Sequence, residues 1–335
     1  MSVLVIAEAG VNHNGKLEIA KRLVDMAVEC GADVIKFQTF KAEESTGSFA
    51  EKAQYQKENV IGEESQLDMI KKLELPFEDF VEIQEYCKKK GIVFVSTPDG
   101  EESLEFLVSL DVPFIKVGST EVSNVKFLKM LGSTGKEIIL STGMSTLGEV
   151  EKALINLQKS GNKNIKLMQC TTDYPTNLED VNLKAMVTMR DAFKVPVGLS
   201  DHTLGNEAAI AAVALGAEFI EKHITLDKKM EGPDHKASMD PKEFKNYVLA
   251  IRSTEKLLGD GIKKPTDREV EIMRDVRRSI VASSELKEGS IIDESMLAYK
   301  RPGYGIKPEL VDAILGRKLN KKIYKDQLIM WSDLD

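Results

Sequence analysis

Short apolar runs alternate with amphipathic segments along residues 1–260 of this 335-residue chain. The first run, residues 3–9, precedes a segment whose apolar residues recur at helical spacing and which ends at Gly31, a residue suited to a left-handed helix C-terminus. Seven further β-rich runs follow, at residues 33–38, 92–96, 113–118, 137–142, 165–170, 196–200 and 218–223. Eight β/α units predict a closed parallel (β/α)8 TIM barrel, and the alternative, a doubly wound Rossmann sheet, lacks its glycine fingerprint.

A different texture follows the barrel pattern. Residues 1–260 form the predicted barrel, residues 261–278 a polar linker with some helix, and residues 279–335 a short, turn-rich second domain. So small a domain is expected to need the barrel or a partner chain for stability. Residues 39–76 interrupt the barrel after its second strand, and an insertion of this length predicts a functional loop.

Composition excludes several classes of protein. The net charge of −8 and a pI near 5.4 argue against a nucleic-acid surface, which needs clustered Lys and Arg. We expect neither a signal peptide nor a membrane span, because the first apolar run lacks a basic segment before it and no later run reaches the necessary length. Three widely spaced cysteines without a CxxC motif complete the expectation of a cytoplasmic protein.

Polar residues close each predicted strand, where a (β/α)8 barrel places its chemistry. Lys36 and Lys116 stand inside apolar runs, and a buried ammonium group needs an anionic partner. Two interpretations remain open: an internal ion pair with Glu8 or Glu121, or a clamp for a phosphate or carboxylate ligand. The hydroxyl groups that would complete such a clamp belong to Thr97, Ser119, Ser141 and Ser200.

Two histidines stand at matching positions. His202 ends the seventh predicted strand and His223 the eighth, and neighbouring strands lie about 5 Å apart. Both imidazoles could therefore reach one ion, and two histidines with an acidic group would suit Mn, Fe or Zn. For either histidine alone, a helix cap or a core position is the competing interpretation.

Other signals are weaker singly. Asp234 and His235 stand in the loop after the eighth strand, where they could hold a polyol or simply form a tight, solvent-exposed turn. Tyr174 could stack on a ligand or close its loop. Cys170 is expected to be a buried thiol and not a nucleophile, because no base stands at triad spacing. Arg301, in the second domain, could project into a neighbouring cavity or lie on a solvated loop.

A set of motifs in order gives a specific resemblance. The motifs are EAGVNHNG, KFQTFKAE, STP, LSTGM, YPT, GLSDHT, EKHITLD, GPDHKAS and KRPG. Together they resemble the sialic acid synthase family, which includes N-acetylneuraminate and N,N'-diacetyllegionaminate synthases, over essentially the whole chain. The resemblance implies a transferase that condenses phosphoenolpyruvate, an N-acetylmannosamine-type sugar and water to a nonulosonic acid and phosphate. It also implies a C-terminal antifreeze-like (SAF, β-clip) domain and a domain-swapped homodimer.

The resemblance also implies roles for individual residues. Phosphoenolpyruvate would bind to Lys36, Thr97, Lys116, Ser119, Ser141 and Ser200. The sugar would lie near Gln38, Asn59, Tyr174 and Asp234, with Arg301 arriving from the other chain. A divalent metal would bind to His202 and His223, and the catalytic carboxylates would be Glu8 and Glu121. Mn²⁺ is the expected ion, with Mg²⁺ or Co²⁺ as alternatives.

Three positions depart from the family pattern: Asp99, Thr120 and Gln169. Thr120 matters most to the expected site, since its side chain would separate two proposed ligand-binding residues. Two rival functions also stay open. One is a Schiff-base aldolase, with Lys36 or Lys116 attacking a keto acid; the other is a binding protein that acts through its C-terminal segment.

Overall fold

Eight parallel strands form the sheet of the N-terminal unit. They are Leu4–Gly10 (β1), Val34–Phe40 (β2), Val93–Asp99 (β3), Phe114–Val117 (β4), Glu137–Ser141 (β5), Ile165–Cys170 (β6), Val197–Asp201 (β7) and Phe219–His223 (β8). Hydrogen-bonded neighbours run from β3 through β2 and β1 to β8, then back through β7, β6 and β5 to β4. Because β3 and β4 lie beside each other, the sheet is a TIM barrel, as the sequence predicted.

This computed structural model describes residues 2–52 and 65–335, which divide into two compact units, Met1–Gly259 and Asp260–Asp335. The helices of the first unit are Leu17–Cys30 (α1), Ala42–Ser45 (α2), Gln66–Lys71 (α3), Phe77–Lys90 (α4), Glu101–Ser109 (α5), Val125–Ser133 (α6), Leu147–Lys159 (α7), Leu183–Phe193 (α8), Glu207–Ala214 (α9) and Pro241–Leu258 (α10). The short helices α2 and α3 belong to the predicted insertion.

Local sequence explains where the helices begin and end. Helix α1 ends at Gly31, whose φ of 84° is the left-handed conformation that its position in the sequence predicts. Helix α10 begins with a capping box: Asp240 accepts a hydrogen bond from the Glu243 amide, and the Glu243 carboxylate accepts one in return. Pro241 occupies the first helical turn, where its missing N–H is not needed.

Apolar side chains fill the interior of the barrel below the C-terminal ends of the strands. Ile6, Phe114, Met168 and Phe219 are all buried there and belong to one cluster. Gly198 makes room for this packing, since a Cβ atom at that position would lie 2.2 Å from the carbonyl oxygen of Phe219. A separate, larger apolar core lies between the strands and the helices. Inward-facing polar residues are therefore concentrated above the apolar layer, at the C-terminal ends of the strands.

The second unit contains Asp267–Val276 (α11) and the antiparallel strands Ser279–Ala282 (β9) and Leu297–Lys300 (β10). Helix α11 lies within the predicted linker. The unit has an apolar core of its own, which includes Ile280 and Ile323. In neither unit does a described helix combine the length and the apolar character that crossing a membrane requires.

Candidate active site

Two buried lysines lie at the C-terminal end of the barrel. The ammonium group of Lys36 on β2 lies 2.8 Å from a carboxylate oxygen of Glu8 on β1 and donates to the hydroxyl of Thr97 at 3.0 Å. Lys116 on β4 donates to the hydroxyl of Ser141 at 2.8 Å. Each lysine is 3% exposed, so water does little to screen its charge. The predicted pair of Lys36 with Glu8 is present.

Glu221 on β8 lies between the two lysines. Its carboxylate oxygens are 3.4 Å from the Lys116 ammonium and 3.7 Å from that of Lys36, and it accepts a hydrogen bond from Ser200 at 3.0 Å. Glu221 was not among the predicted site residues. A signal was present, because Glu221 stands two residues before His223 and alternate residues of a strand face the same side.

The pKa values of the two central carboxyl groups, Glu8 and Glu221, are shifted in opposite directions. Burial raises the pKa of Glu8 to about 7, a rise that Lys36 opposes and Glu221 reinforces. Burial also opposes ionisation of Glu221, but Lys116 and Lys36 outweigh it and lower the pKa of this carboxyl group to about 2. At neutral pH Glu221 is thus a fixed anion, whereas Glu8 can gain or lose a proton.

The pKa values of the two lysines are also shifted in opposite directions. Burial works against the charged form of Lys36, yet the carboxylates of Glu221 and Glu8 raise the pKa of this ammonium group above its ordinary value. Burial dominates at Lys116 and lowers the pKa there, with Glu221 opposing the change. The cluster therefore holds at least one permanent cation beside a permanent anion.

His202 and His223 lie beside this cluster with their ring centres 5.5 Å apart. Nδ1 of His202 lies 2.7 Å from the carbonyl oxygen of Thr171, which fixes the proton on that nitrogen and leaves Nε2 as the ligand atom. Nδ1 of His223 is buried and has no hydrogen-bond partner among the described residues. Burial, then the charge on His202, lower the pKa of His223 well below its usual value, so this imidazole is neutral.

These two imidazoles fit a divalent metal ion. A ring whose other nitrogen is held by a backbone carbonyl oxygen, as in His202, and an orphaned buried ring nitrogen, as in His223, are both features of metal-binding histidines. Within residues 2–52 and 65–335, no group of three or more His, Cys, Asp and Glu side chains is arranged to hold an ion. Further coordination positions would thus be left to water or substrate.

A cavity of about 160 Å³ opens next to His223. Its other polar lining residues are Gln38, Ser45, Asp99, Tyr174 and Asp234. Its apolar lining consists of Val11, Phe40, Met69, Ile70, Leu73 and Pro233. The Tyr174 ring lies 4.1 Å from that of His202, and burial raises the pKa of Asp234 to about 6. The cavity joins the histidines to a mixed surface suited to a sugar.

Other predicted residues lie around this centre. Ser119 accepts a hydrogen bond from the Gly143 amide at 2.9 Å, in the turn after β5. Glu121 is half-buried and accepts a hydrogen bond from Asn124 at 2.7 Å; burial raises its pKa, and Asp99 adds to that rise. Glu121 is not one of the residues that pair with the buried lysines.

Some candidates take other positions. Arg301 is an exposed residue of the second unit, and Asn59 lies outside the described residues. Gln169 donates to the carbonyl oxygen of Val181 at 3.0 Å, away from the cavity lining, so its departure from the family pattern does not alter that lining. His235 is fully buried, with its ring nitrogens bonded to Thr225 and Asn14, so this histidine lies neither on a solvent-exposed turn nor in the cavity lining.

Comparison with known proteins gives the family. The sequence matches the NeuB family over residues 23–263 and the SAF domain over residues 277–335. The chain belongs to the NeuB family. This NeuB-family chain is 48% identical to N,N'-diacetyllegionaminic acid synthase of Campylobacter jejuni, over 97% of this chain and 98% of that protein. It is 45% identical to the Legionella pneumophila protein of the same name, over 100% and 95% of the two chains.

A solved structure gives the same result. The N-acetylneuraminic acid synthetase of Leptospira borgpetersenii is 34% identical, with a TM-score of 0.72 over 82% of this chain and 90% of that one. The predicted resemblance to sialic acid synthases is confirmed, together with the TIM barrel and the SAF domain. The buried charges of this NeuB-family chain lie at the C-terminal end of the barrel, where TIM-barrel enzymes carry out catalysis.

Proposed function

We propose that this chain condenses phosphoenolpyruvate with an N-acetylmannosamine-type sugar and water, giving a nonulosonic acid and phosphate. One observation carries the proposal: two buried lysines with hydroxyl partners lie beside two histidines at the C-terminal end of the barrel. The relatives named as legionaminic and neuraminic acid synthases support the same reaction class.

Phosphoenolpyruvate would bind where the lysines lie. Lys36 and Lys116 supply positive charge, and the hydroxyls of Thr97 and Ser141 already accept hydrogen bonds from them. Ser119 and Ser200 supply further hydroxyls for the same ligand.

We propose that His202 and His223 hold a divalent cation, with Mn²⁺ expected and Mg²⁺ or Co²⁺ as alternatives. When bound, such an ion would supply Lewis-acid stabilisation of negative charge on the sugar's aldehyde oxygen. His202 would bind through Nε2, because the carbonyl oxygen of Thr171 occupies Nδ1. His223 would bring a neutral ring to the same point.

The carboxyl groups would manage the protons. The electron pair of the C2–C3 double bond of phosphoenolpyruvate forms a bond from C3 to the aldehyde carbon, and the aldehyde oxygen takes the negative charge and then a proton. Water adds to C2 and gives up a proton, and the C–O bond then breaks with phosphate as the leaving group. Glu8 suits the base that takes the proton of this water, since one of its oxygens has no hydrogen-bond partner in the described chain. Glu121, at a half-buried position near Asp99, is the alternative base.

We propose the 2,4-diacetamido-2,4,6-trideoxy sugar as the acceptor, and hence N,N'-diacetyllegionaminate rather than N-acetylneuraminate as the product. The two relatives that share 45% and 48% identity with this chain bear that activity in their names. Phe40, Ile70 and Leu73 give the cavity an apolar wall, which suits a methyl group better than a hydroxyl. Gln38, Tyr174 and Asp234 would face the polar groups of the sugar.

The deciding experiment measures phosphate release and product mass with phosphoenolpyruvate, Mn²⁺ and either sugar, with and without EDTA. A metal-dependent nonulosonic acid is expected, formed faster from the trideoxy sugar. Borohydride trapping with pyruvate tests the Schiff-base rival, which the paired, cationic Lys36 disfavours. A trapped adduct on either lysine, with activity that EDTA leaves unchanged, would overturn the proposal.

We also propose a cytoplasmic, domain-swapped homodimer in which Arg301 of one chain reaches the sugar site of the other. Mixed dimers test it, since co-expressed Arg301→Ala and His223→Ala chains would regenerate one intact site in each heterodimer. At a sugar concentration below the wild-type KM, activity should return in the mixture, although His223→Ala alone is inactive and Arg301→Ala alone turns over slowly because its sugar KM is raised. A monomer by light scattering, or no recovery, would contradict the exchange.

A further inference from the structure

An ion pair lies buried behind the two histidines, on the outer face of the barrel wall. Asp201 is the last residue of β7 and directly precedes His202, and Lys222 precedes His223 on β8. The two residues are register partners, and their charged groups lie 3.1 Å apart. Asp201 is 2% exposed and Lys222 is 1% exposed, so the pair is removed from water.

Hydrogen bonds with neighbouring residues hold this ion pair in place. Tyr247 of α10, which is fully buried, donates its hydroxyl proton to one oxygen of Asp201 at 2.7 Å. The other oxygen accepts from the amide and the hydroxyl of Thr203 at 2.9 and 2.8 Å. Lys222 in turn donates to the carbonyl oxygen of Thr203. Residues 201 and 203 are thereby fixed on both sides of His202.

Stability alone does not explain charges at this place. The preceding outward-facing positions on the same strands are Leu199 and Ile220, which belong to the apolar core between strands and helices. An apolar pair would satisfy such a position at least as well, because desolvating two charges commonly costs as much as their attraction returns. The change from apolar to charged residues occurs one residue before each histidine.

We propose that Asp201, Lys222 and Tyr247 are positioning residues that set the spacing and orientation of His202 and His223 for the metal ion. The ion pair joins the ends of β7 and β8, and Tyr247 anchors that junction to helix α10. This inference rests on the metal site of the proposed function. It assigns to the α10 side of the barrel a direct part in metal affinity.

The experiment measures Mn²⁺ affinity of the full-length protein by EPR of free Mn²⁺, without substrate. Lys222→Met is expected to weaken Mn²⁺ binding about 10- to 100-fold, the usual effect of losing an outer-shell partner. Tyr247→Phe, which removes one hydroxyl, is expected to weaken it by roughly 3- to 10-fold. Lys166→Met is the matched control: Lys166 pairs with Glu137 at 2.9 Å across neighbouring strands, near their N-terminal ends.

Metal affinity separates positioning from simple folding support. All titrations are made well below the melting temperature of each variant, so that the protein is folded throughout. If the replaced residue only supports folding, the melting temperature falls but the Mn²⁺ affinity does not change. Wild-type affinity in Lys222→Met, or in Tyr247→Phe if the first variant fails to fold, would overturn the inference. His223→Ala distinguishes the two proposals. Wild-type affinity in that variant would overturn the metal site itself, and the positioning roles with it.

Discussion

Replacing Glu221 with glutamine removes the buried negative charge between Lys36 and Lys116. The neighbouring lysines lower the pKa of this carboxyl group from 4.5 to about 2 despite its burial. One pKa unit corresponds to about 1.4 kcal/mol, so the ionised carboxylate contributes roughly 3 kcal/mol to the free energy of unfolding at neutral pH. For a barrel of this size, the melting temperature should fall by roughly 6–12 °C.

The pH dependence of this loss has a definite sign. Because folding lowers the pKa of Glu221, its stabilisation is complete above about pH 4.5 and disappears as the pH falls towards 2. The difference between wild type and Glu221→Gln should therefore be largest near pH 5.5 and shrink below pH 4.5. At pH 7 it should be somewhat smaller than at pH 5.5, because removing Glu221 also removes its repulsion of the ionised Glu8. Thermal unfolding followed by calorimetry and near-ultraviolet circular dichroism at several pH values measures this difference.

A matched variant separates this effect from the general loss of an ion pair. Glu137 pairs with Lys166 across neighbouring strands, but both side chains are more than a fifth exposed. Solvent screens that pair, so Glu137→Gln should cost less than about 1 kcal/mol. Equal losses in the two variants, or a Glu221→Gln difference that widens in acid, would refute the assignment of Glu221 as a fixed anion.

Three further variants test the proposed reaction. Glu8→Gln should abolish an ascending limb near pH 7 in the plot of kcat/KM against pH. Burial raises the pKa of Glu8 to about 7, and only the ionised form accepts a proton. If the ascending limb remains in the variant, it reports the titration of another group. Thr97→Val should raise the KM for phosphoenolpyruvate about 10-fold through loss of one hydrogen bond to a charged ligand, while the KM for the sugar stays constant in phosphate-release assays. Arg301→Ala should raise the KM for the sugar about 10-fold or more and leave the KM for phosphoenolpyruvate unchanged. Equal increases in both KM values would contradict the assignment of Arg301 to the sugar.

The strands and the convergence of the strand-end residues follow from local sequence. Strand β6 was predicted at residues 165–170 and is observed there, and the other strands differ by up to three residues at their ends. Side-chain periodicity alone gives the strands, and the barrel rule then places their C-terminal ends together. Lys36 and Lys116 could be selected for the same reason, since a charge in an apolar run needs a partner wherever the strand lies.

The pairing of those charges could not be predicted in the same way. It depends on barrel register, which brings Glu221 of β8 within reach of Lys116 on β4, more than one hundred residues earlier. The face of each residue also matters. Gln169 departs from the family pattern but bonds to Val181 away from the cavity. Asp201 and Lys222 directly precede the two histidines in sequence, yet they point away from the site, towards Tyr247.

The opposite behaviour of Glu8 and Glu221 assigns their parts in the chemistry. Two carboxyl groups in one buried cluster acquire distinct roles when their surroundings separate their pKa values. Glu221 interacts with both lysines and stays ionised, so it can balance their charge but accepts no proton near neutral pH. Glu8 has one oxygen without a hydrogen-bond partner in the described chain and a pKa of about 7. Of these two carboxyl groups, Glu8 is therefore the one that can accept the proton that water must give up, and Glu221 serves to keep Lys36 charged while Glu8 titrates.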